Sequence, residues 1–331
     1  MNAFLRSLST TQQIGALFLV VFGVLSLVTL WAFARGLRET PAGDADAAAA
    51  RKAKGRRLRG LLQTSWAMAT VFWVGWVLGD TAATVLFALV AFFALREFIT
   101  LSPTRRGDHR SLVLAFFVVL PLQFIIVGSR SFDLFTVFIP VYVFLALPVV
   151  SALANDPERF LERSAKLQWG IMVCVYGMSH VPALLLLDFP QYEGKGAFLV
   201  FFLVLVVQTC MVVQHLVGRR LPHRPVAPQV SQSFQWASWL AGVGVGGVLG
   251  GLLSFITPFK PGQALGMALL ACVAGSLGHL VMKALKRDRG ITNWGMQGQS
   301  VTGAGGLLDR VDALCFAAPV FFHSVRWYFG L

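Results

Sequence analysis

Asp309 and Asp312 stand three residues apart in the run GAGGLLDRVDALCFAAPVFFH, Gly303 to His323, at the mouth of an apolar stretch. A carboxylate at membrane depth is costly, so a pair of them there marks a candidate site. The segment KRDRG, Lys286 to Gly290, lies just upstream. Together these residue types suit chemistry on phosphate. Lys286, Arg287, Arg289 and Arg310 can supply cations, Asp309 and Asp312 can hold a divalent metal, and Gly303, Gly305 and Gly306 let a backbone approach closely. A metal bridging phosphate oxygens stabilises in-line displacement at phosphorus and requires no protein nucleophile. At i and i+3 by a helix start, the two aspartates can share one face. Without further context, Asp-Arg-x-Asp serves equally as a helix cap and topology signal, and both readings stay open.

The elements that must position this pair are membrane helices. The chain has 331 residues, 56% of them hydrophobic and 13% charged, with mean hydropathy +0.69. A soluble globular domain carries about 25% charged residues. The composition therefore predicts an all-α integral membrane protein. Apolar stretches of the length a bilayer core demands occur at 14–34, 61–79, 81–101, 112–129, 133–153, 168–187, 197–216, 238–257, 263–282 and 311–328. The expected fold is a polytopic helical bundle of about ten transmembrane spans. The first run, Ile14 to Ala34, is long enough to span, and no small-residue cleavage site follows it clearly. Gly242, Gly244, Gly246, Gly247, Gly250 and Gly251 fall inside one span, where they predict close helix packing rather than a nucleotide loop. Four cysteines, Cys174, Cys210, Cys272 and Cys315, lie in separate apolar segments without metal-ligand spacing and read as small buried residues. His180, His215 and His279 fall in or at the ends of spans, where a hydrogen-bonded neutral imidazole is the simplest role. Trp236, Trp239 and Trp294 read as interfacial anchors.

Charge sets the orientation. The net charge of +13 does not point to nucleic acid, because the basic residues are distributed by loop. Twenty-two of the 28 Lys and Arg fall in alternate loops on one side and five on the other, with Arg96 inside a span. The positive-inside rule places the first set in the cytoplasm and both termini outside, with the site facing the cytoplasm of the inner or plasma membrane. The 35–60 loop, containing RKAKGRRLRG, reads as a cytoplasmic topogenic loop that can lie on anionic headgroups.

The C-terminal half resembles the phosphatidate cytidylyltransferases, or CDP-diacylglycerol synthases. Lys286-Arg287, Gly305-Gly306 and Asp309-Arg310-x-Asp312 match that family's signature, and Phe316 to Phe322 is similar to its last helix. Gly218-Arg219, Ala227-Pro228 with Ser231, Gln214, and Tyr176-Gly177-x-Ser179-His180 extend the likeness over roughly 168–331, with a faint LREF at Leu95 to Phe98 upstream. The resemblance divides the chain into an N-terminal transmembrane region, 1–167, and a cytidylyltransferase-like region, 168–331.

It implies transfer of CMP from CTP to phosphatidate, with Mg²⁺ or another divalent cation as cofactor and with room for a homodimer. Asp309 and Asp312 are then the catalytic carboxylates and, with Asn293, the metal ligands. Lys286, Arg287, Arg310, Gly305, Gly306, Gln214 and Ser231 are the expected phosphate and nucleotide contacts. The chain departs from the family pattern at several points. Lys283 replaces a serine, Thr292-Asn293 a Lys-Asp pair, and Ala304 a histidine. Met211 stands for an aspartate, His215 for a tyrosine, Phe234 for a lysine and Ala237 for a glutamate. These changes admit a second reading, a non-catalytic homologue that binds lipid or regulates a partner. Cysteines introduced into 35–60 and 283–310 are expected to resist a membrane-impermeant maleimide on intact cells and to react once the membrane is opened. Labelling from outside reverses the orientation.

Overall fold

A computed structural model describes residues 10–38, 72–102, 104–188, 194–220, 224–295 and 306–330, with Gly55, Leu62, Trp66, Ala69, Thr70 and Tyr192 between them. Nine long helices run through these residues: α1 (Thr10–Arg38), α2 (Asp80–Thr100), α3 (Arg106–Gly128), α4 (Phe132–Ala152), α5 (160–185), α6 (Gly196–Arg220), α7 (Trp236–Leu252), α8 (Pro261–Asp288) and α9 (Leu308–Phe329). Among the described residues there is no strand, and the fold is an all-α polytopic bundle.

Seven of these helices are long and apolar enough to cross a membrane: α1 to α4 and α6 to α8. Most of the expected stretch 168–187 and all of 311–328 are also helical, within α5 and α9. The former is preceded in its helix by the polar turn FLERSAKLQ, and the latter carries Asp309, Arg310, Asp312 and Arg326. Of 61–79, residues 72–77 are helical and most of the rest lies outside the described residues, as does most of the 35–60 loop. Three helices contain a π-helical stretch, at Ala115–Val119, Phe138–Val143 and Ile171–Gly177. Pro121 and Pro140 lie beside or inside two of these, where a missing N–H interrupts the i→i−4 ladder.

Two cores hold the bundle. One gathers Phe198 to Val207 of α6, Ala264 to Cys272 of α8 and Ala313 to Val325 of α9. The other joins Ala91 to Phe98 of α2 and Ile171 to Met178 of α5 to Met282, Trp294, Leu308 and Val311. The second core therefore mixes residues from both sides of position 168, which itself falls inside α5. At the end remote from Asp309, Arg130 pairs with Asp188 and with Asp80, the latter at 3.3 Å.

Glycine permits the tightest contacts. A Cβ at Gly250 of α7 would lie 2.2 Å from Ala268 Cβ of α8, and Gly242, Gly246 and Gly247 pack closely against neighbouring helices, as expected; Gly244 does not. α9 is gripped from two sides at successive residues. A Cβ at Gly177 would lie 2.4 Å from the Cys315 carbonyl oxygen, and one at Gly278 2.2 Å from the Phe316 ring. Gly278→Ala is expected to lower stability in detergent by about 1–3 kcal/mol through overpacking. Gly177→Ala is expected to cost more, because a backbone carbonyl cannot rotate aside. Gly244, where an added Cβ would meet nothing within 4 Å, serves as the control position in the same thermal-unfolding measurement.

Candidate active site

The site is built where the start of α9 meets the end of α8. α9 begins with Leu308, so Asp309 lies in its first turn and Asp312 one turn further on. The first N–H groups of a helix have no intrahelical acceptor and carry partial positive charge. Here Glu97, near the end of α2, supplies the acceptor. Its two carboxylate oxygens each accept a backbone N–H, from Leu307 and from Leu308, both at 2.9 Å. Glu97 is 6% exposed. Gly306 makes this approach feasible: a Cβ there would lie 2.9 Å from Glu97 Oε2 and 2.7 Å from Trp294 Cβ.

Asp309 ties the polar segment after α8 to α9. One oxygen accepts from Lys286 Nζ at 2.6 Å and the other from the Trp294 backbone N–H at 2.9 Å. Trp294 is buried and packs its ring against Phe98 of α2, 5.3 Å between centroids. The indole expected as an interfacial anchor is thus enclosed by protein, with Phe98 against its ring and Gly306 beside its Cβ. Asp312 is 3% exposed, and its Oδ2 accepts from His279 Nδ1 of α8 at 2.7 Å. His279, Lys283 and Lys286 follow at i, i+4 and i+7, which places all three on one face of α8.

The loop between α6 and α7 closes the third side. Val226 N–H donates to the Phe234 carbonyl at 2.9 Å, and Ser231 N–H to the Ala227 carbonyl at 2.7 Å. Buried Phe234 pins the loop. Ser231 and Ser233 present their hydroxyls 3.2 Å apart, and Lys283 Nζ donates to both, at 3.3 and 3.2 Å.

The expected residues are thus partly gathered. Asp309 with Lys286, and Ser231 with the unexpected Lys283, stand in contact, and Asp312 stands beside them. Arg310 lies between the two aspartates in sequence, and its Nε is a buried donor with no acceptor among the described residues. Gln214 sits against the close α6–α7 contact at Gly242, its side-chain carbonyl oxygen buried and likewise unmatched. Arg287 and Asn293 are exposed. Gly305, like Gly303 and Ala304, lies outside the described residues. Met211 packs against the α6–α8–α9 core.

Among the described residues no group of three or more His, Cys, Asp or Glu is arranged to enclose a metal ion. Two hard carboxylate donors, Asp309 and Asp312, remain. That donor set fits the way Mg²⁺ is commonly bound, by one or two carboxylates with substrate phosphates and water completing the shell. Beyond the seam, the same end is braced by ion pairs. Arg163 contacts Asp108 at 3.0 Å and Asp156 at 2.6 Å, and Arg105 contacts Asp156 at 3.4 Å. Burial pushes the Asp156 carboxyl up, but the Arg163 hydrogen bond and its neighbours outweigh this and hold it below the usual carboxylate range.

Sequence reasoning missed Glu97 as a participant and did not pair His279 with Asp312. A carboxylate near the end of the apolar stretch 81–101 was the available signal for Glu97.

Comparison with known proteins bears on the same region. The model of the cytidylyltransferase family matches residues 61–328. The uncharacterized protein YnbB of Escherichia coli K12 is 34% identical over 251 residues, 73% of this chain and 78% of YnbB. A phosphatidate cytidylyltransferase of Brucella abortus is 31% identical over 132 residues, 39% of this chain and 47% of that protein. One of Mycobacterium leprae is 30% identical over 131 residues, 39% of this chain and 41% of that protein. The chain thus spans less than half the length of these two named enzymes. The family match takes in Glu97, the α8–α9 seam and the Asp-Arg-x-Asp turn. The chain is a multi-pass membrane protein of the cytidylyltransferase family.

Proposed function

We propose that the protein transfers CMP from CTP to phosphatidate, giving CDP-diacylglycerol and pyrophosphate. In this reaction a phosphate oxygen of the lipid attacks the α-phosphorus of CTP, and pyrophosphate leaves as the P–O bond to it breaks. The observation that carries the reading is the convergence of Asp309, Asp312, Lys286 and Lys283 on one seam in a chain of this family. A divalent cation held by Asp309 and Asp312 would neutralise phosphate charge as it develops. The chain's own groups do the rest. Lys286 keeps the Asp309 carboxylate oriented, His279 does so for Asp312, and the Arg310 guanidinium offers a buried donor to a phosphate oxygen. The basic excess on alternate loops supports a site facing the cytoplasm, where CTP is available.

A second reading, a non-catalytic membrane protein that binds lipid or regulates a partner, is favoured by a specific observation. Both aspartates are already matched, to Lys286 and His279, and Asn293 and Met211 offer no carboxylate to share a dication.

Purified protein given phosphatidate, labelled CTP and Mg²⁺ is expected to form labelled lipid. Asp312→Asn is expected to abolish it while expression and unfolding temperature hold. Asn293→Asp, at an exposed position, is expected to raise Mg²⁺-dependent CTP binding. Absence of labelled lipid with retained phosphatidate binding would establish the second reading.

A further inference from the structure

Several basic groups at this end of the bundle have an acid beside them. Lys286 has Asp309, His279 has Asp312, Arg163 has Asp108 and Asp156, and Lys166 and Arg159 share Glu162. Lys283 differs. Its side chain is half-buried on α8, and among the described residues no carboxylate lies within 4.0 Å of it. Its hydrogen-bond partners are the two serine hydroxyls of the facing loop. Its direct partners are neutral and Asp312 acts on it only from beyond ion-pair distance, so the half-buried ammonium can still take an anion.

We propose that Lys283, Ser231 and Ser233 form a phosphate-binding subsite that takes the phosphate group of a substrate without requiring a metal ion. The geometry suits that ligand. Both hydroxyls accept from the ammonium and one donates to the other, which leaves the second hydroxyl's O–H and the remaining ammonium N–H for an anion. The cradle is set in advance, because two backbone hydrogen bonds and buried Phe234 hold the loop. Lys283 lies one turn from Lys286 and one from His279, so a phosphate on it adjoins the Asp309–Asp312 turn. The subsite rests on the proposed transfer reaction only for the identity of its phosphate-bearing ligands.

The test is equilibrium binding to the purified full-length protein in EDTA, with short-chain phosphatidate and CTP as separate probes. Lys283→Met keeps the long apolar stem and removes the charge, Lys283→Arg keeps the charge, and Ser231→Ala with Ser233→Ala removes the hydroxyls. Wild type is expected to bind at least one probe. Lys283→Met is expected to weaken that binding about tenfold or more, and the double serine variant about threefold. Lys283→Arg is expected to stay close to wild type. A loss confined to phosphatidate assigns the subsite to the lipid phosphate, and one confined to CTP assigns it to the nucleotide. A loss for both makes it a position they share. Wild-type affinity in Lys283→Met, or no binding of either probe by wild type, overturns the subsite. Failure of the transfer reading looks different: no labelled lipid forms, while Lys283-dependent binding persists.

Discussion

The arrangement depends on one buried carboxylate meeting one helix start. Glu97 reaches from α2 to the first N–H groups of α9, some two hundred residues later in the chain, and accepts from two of them. A buried carboxylate is costly alone, and an uncapped buried helix start is costly too. Each removes the other's cost. Hydrogen bonds to a charged group contribute about 1.5–3 kcal/mol apiece, roughly twice a neutral one. Because Asp309 follows directly on Leu308, this contact also fixes where the candidate site begins.

From that point the remaining contacts are nearly forced. Gly177 and Gly278 bring α5 and α8 close against α9, which leaves no space for α9 to slide. With the helix placed, Asp309 meets Lys286 and Asp312 meets His279 across the α8–α9 seam. Asp309 then draws the Trp294 backbone inward, and Trp294 packs against Phe98, one residue from Glu97. The circuit closes on α2. A region upstream of 168, outside the strongest part of the family resemblance, is therefore part of the site's support. The matched span of the family model, which begins at residue 61, includes it.

Much of this is legible in one dimension. Apolar runs of bilayer length specify helices almost by themselves, since unpaired backbone is prohibitive in lipid. Asp309 and Asp312 stand out because carboxylates are rare against an apolar run. The glycine string points to packing from its place inside a span, and Gly250 against Ala268 shows why. What the sequence does not yield is partnership. His279 is 33 residues from Asp312, and nothing in either residue's neighbourhood names the other. Tryptophan beside a span usually lies at the interface, and Trp294 departs from that habit; its burial needs Phe98 and Gly306, which only the fold supplies. Lys283 is visible as a departure from a pattern, but its two serines lie on another element.

The most direct test of the Glu97 clamp is amide hydrogen exchange at Leu307 and Leu308 in the full-length protein, wild type against Glu97→Ala. These two amides are expected to exchange about tenfold or more faster in the variant. Ala317 and Ala318, buried in mid-helix, are expected to keep their protection. Equal protection of Leu307 and Leu308 in both proteins would contradict a clamp from α2 that sets the start of α9.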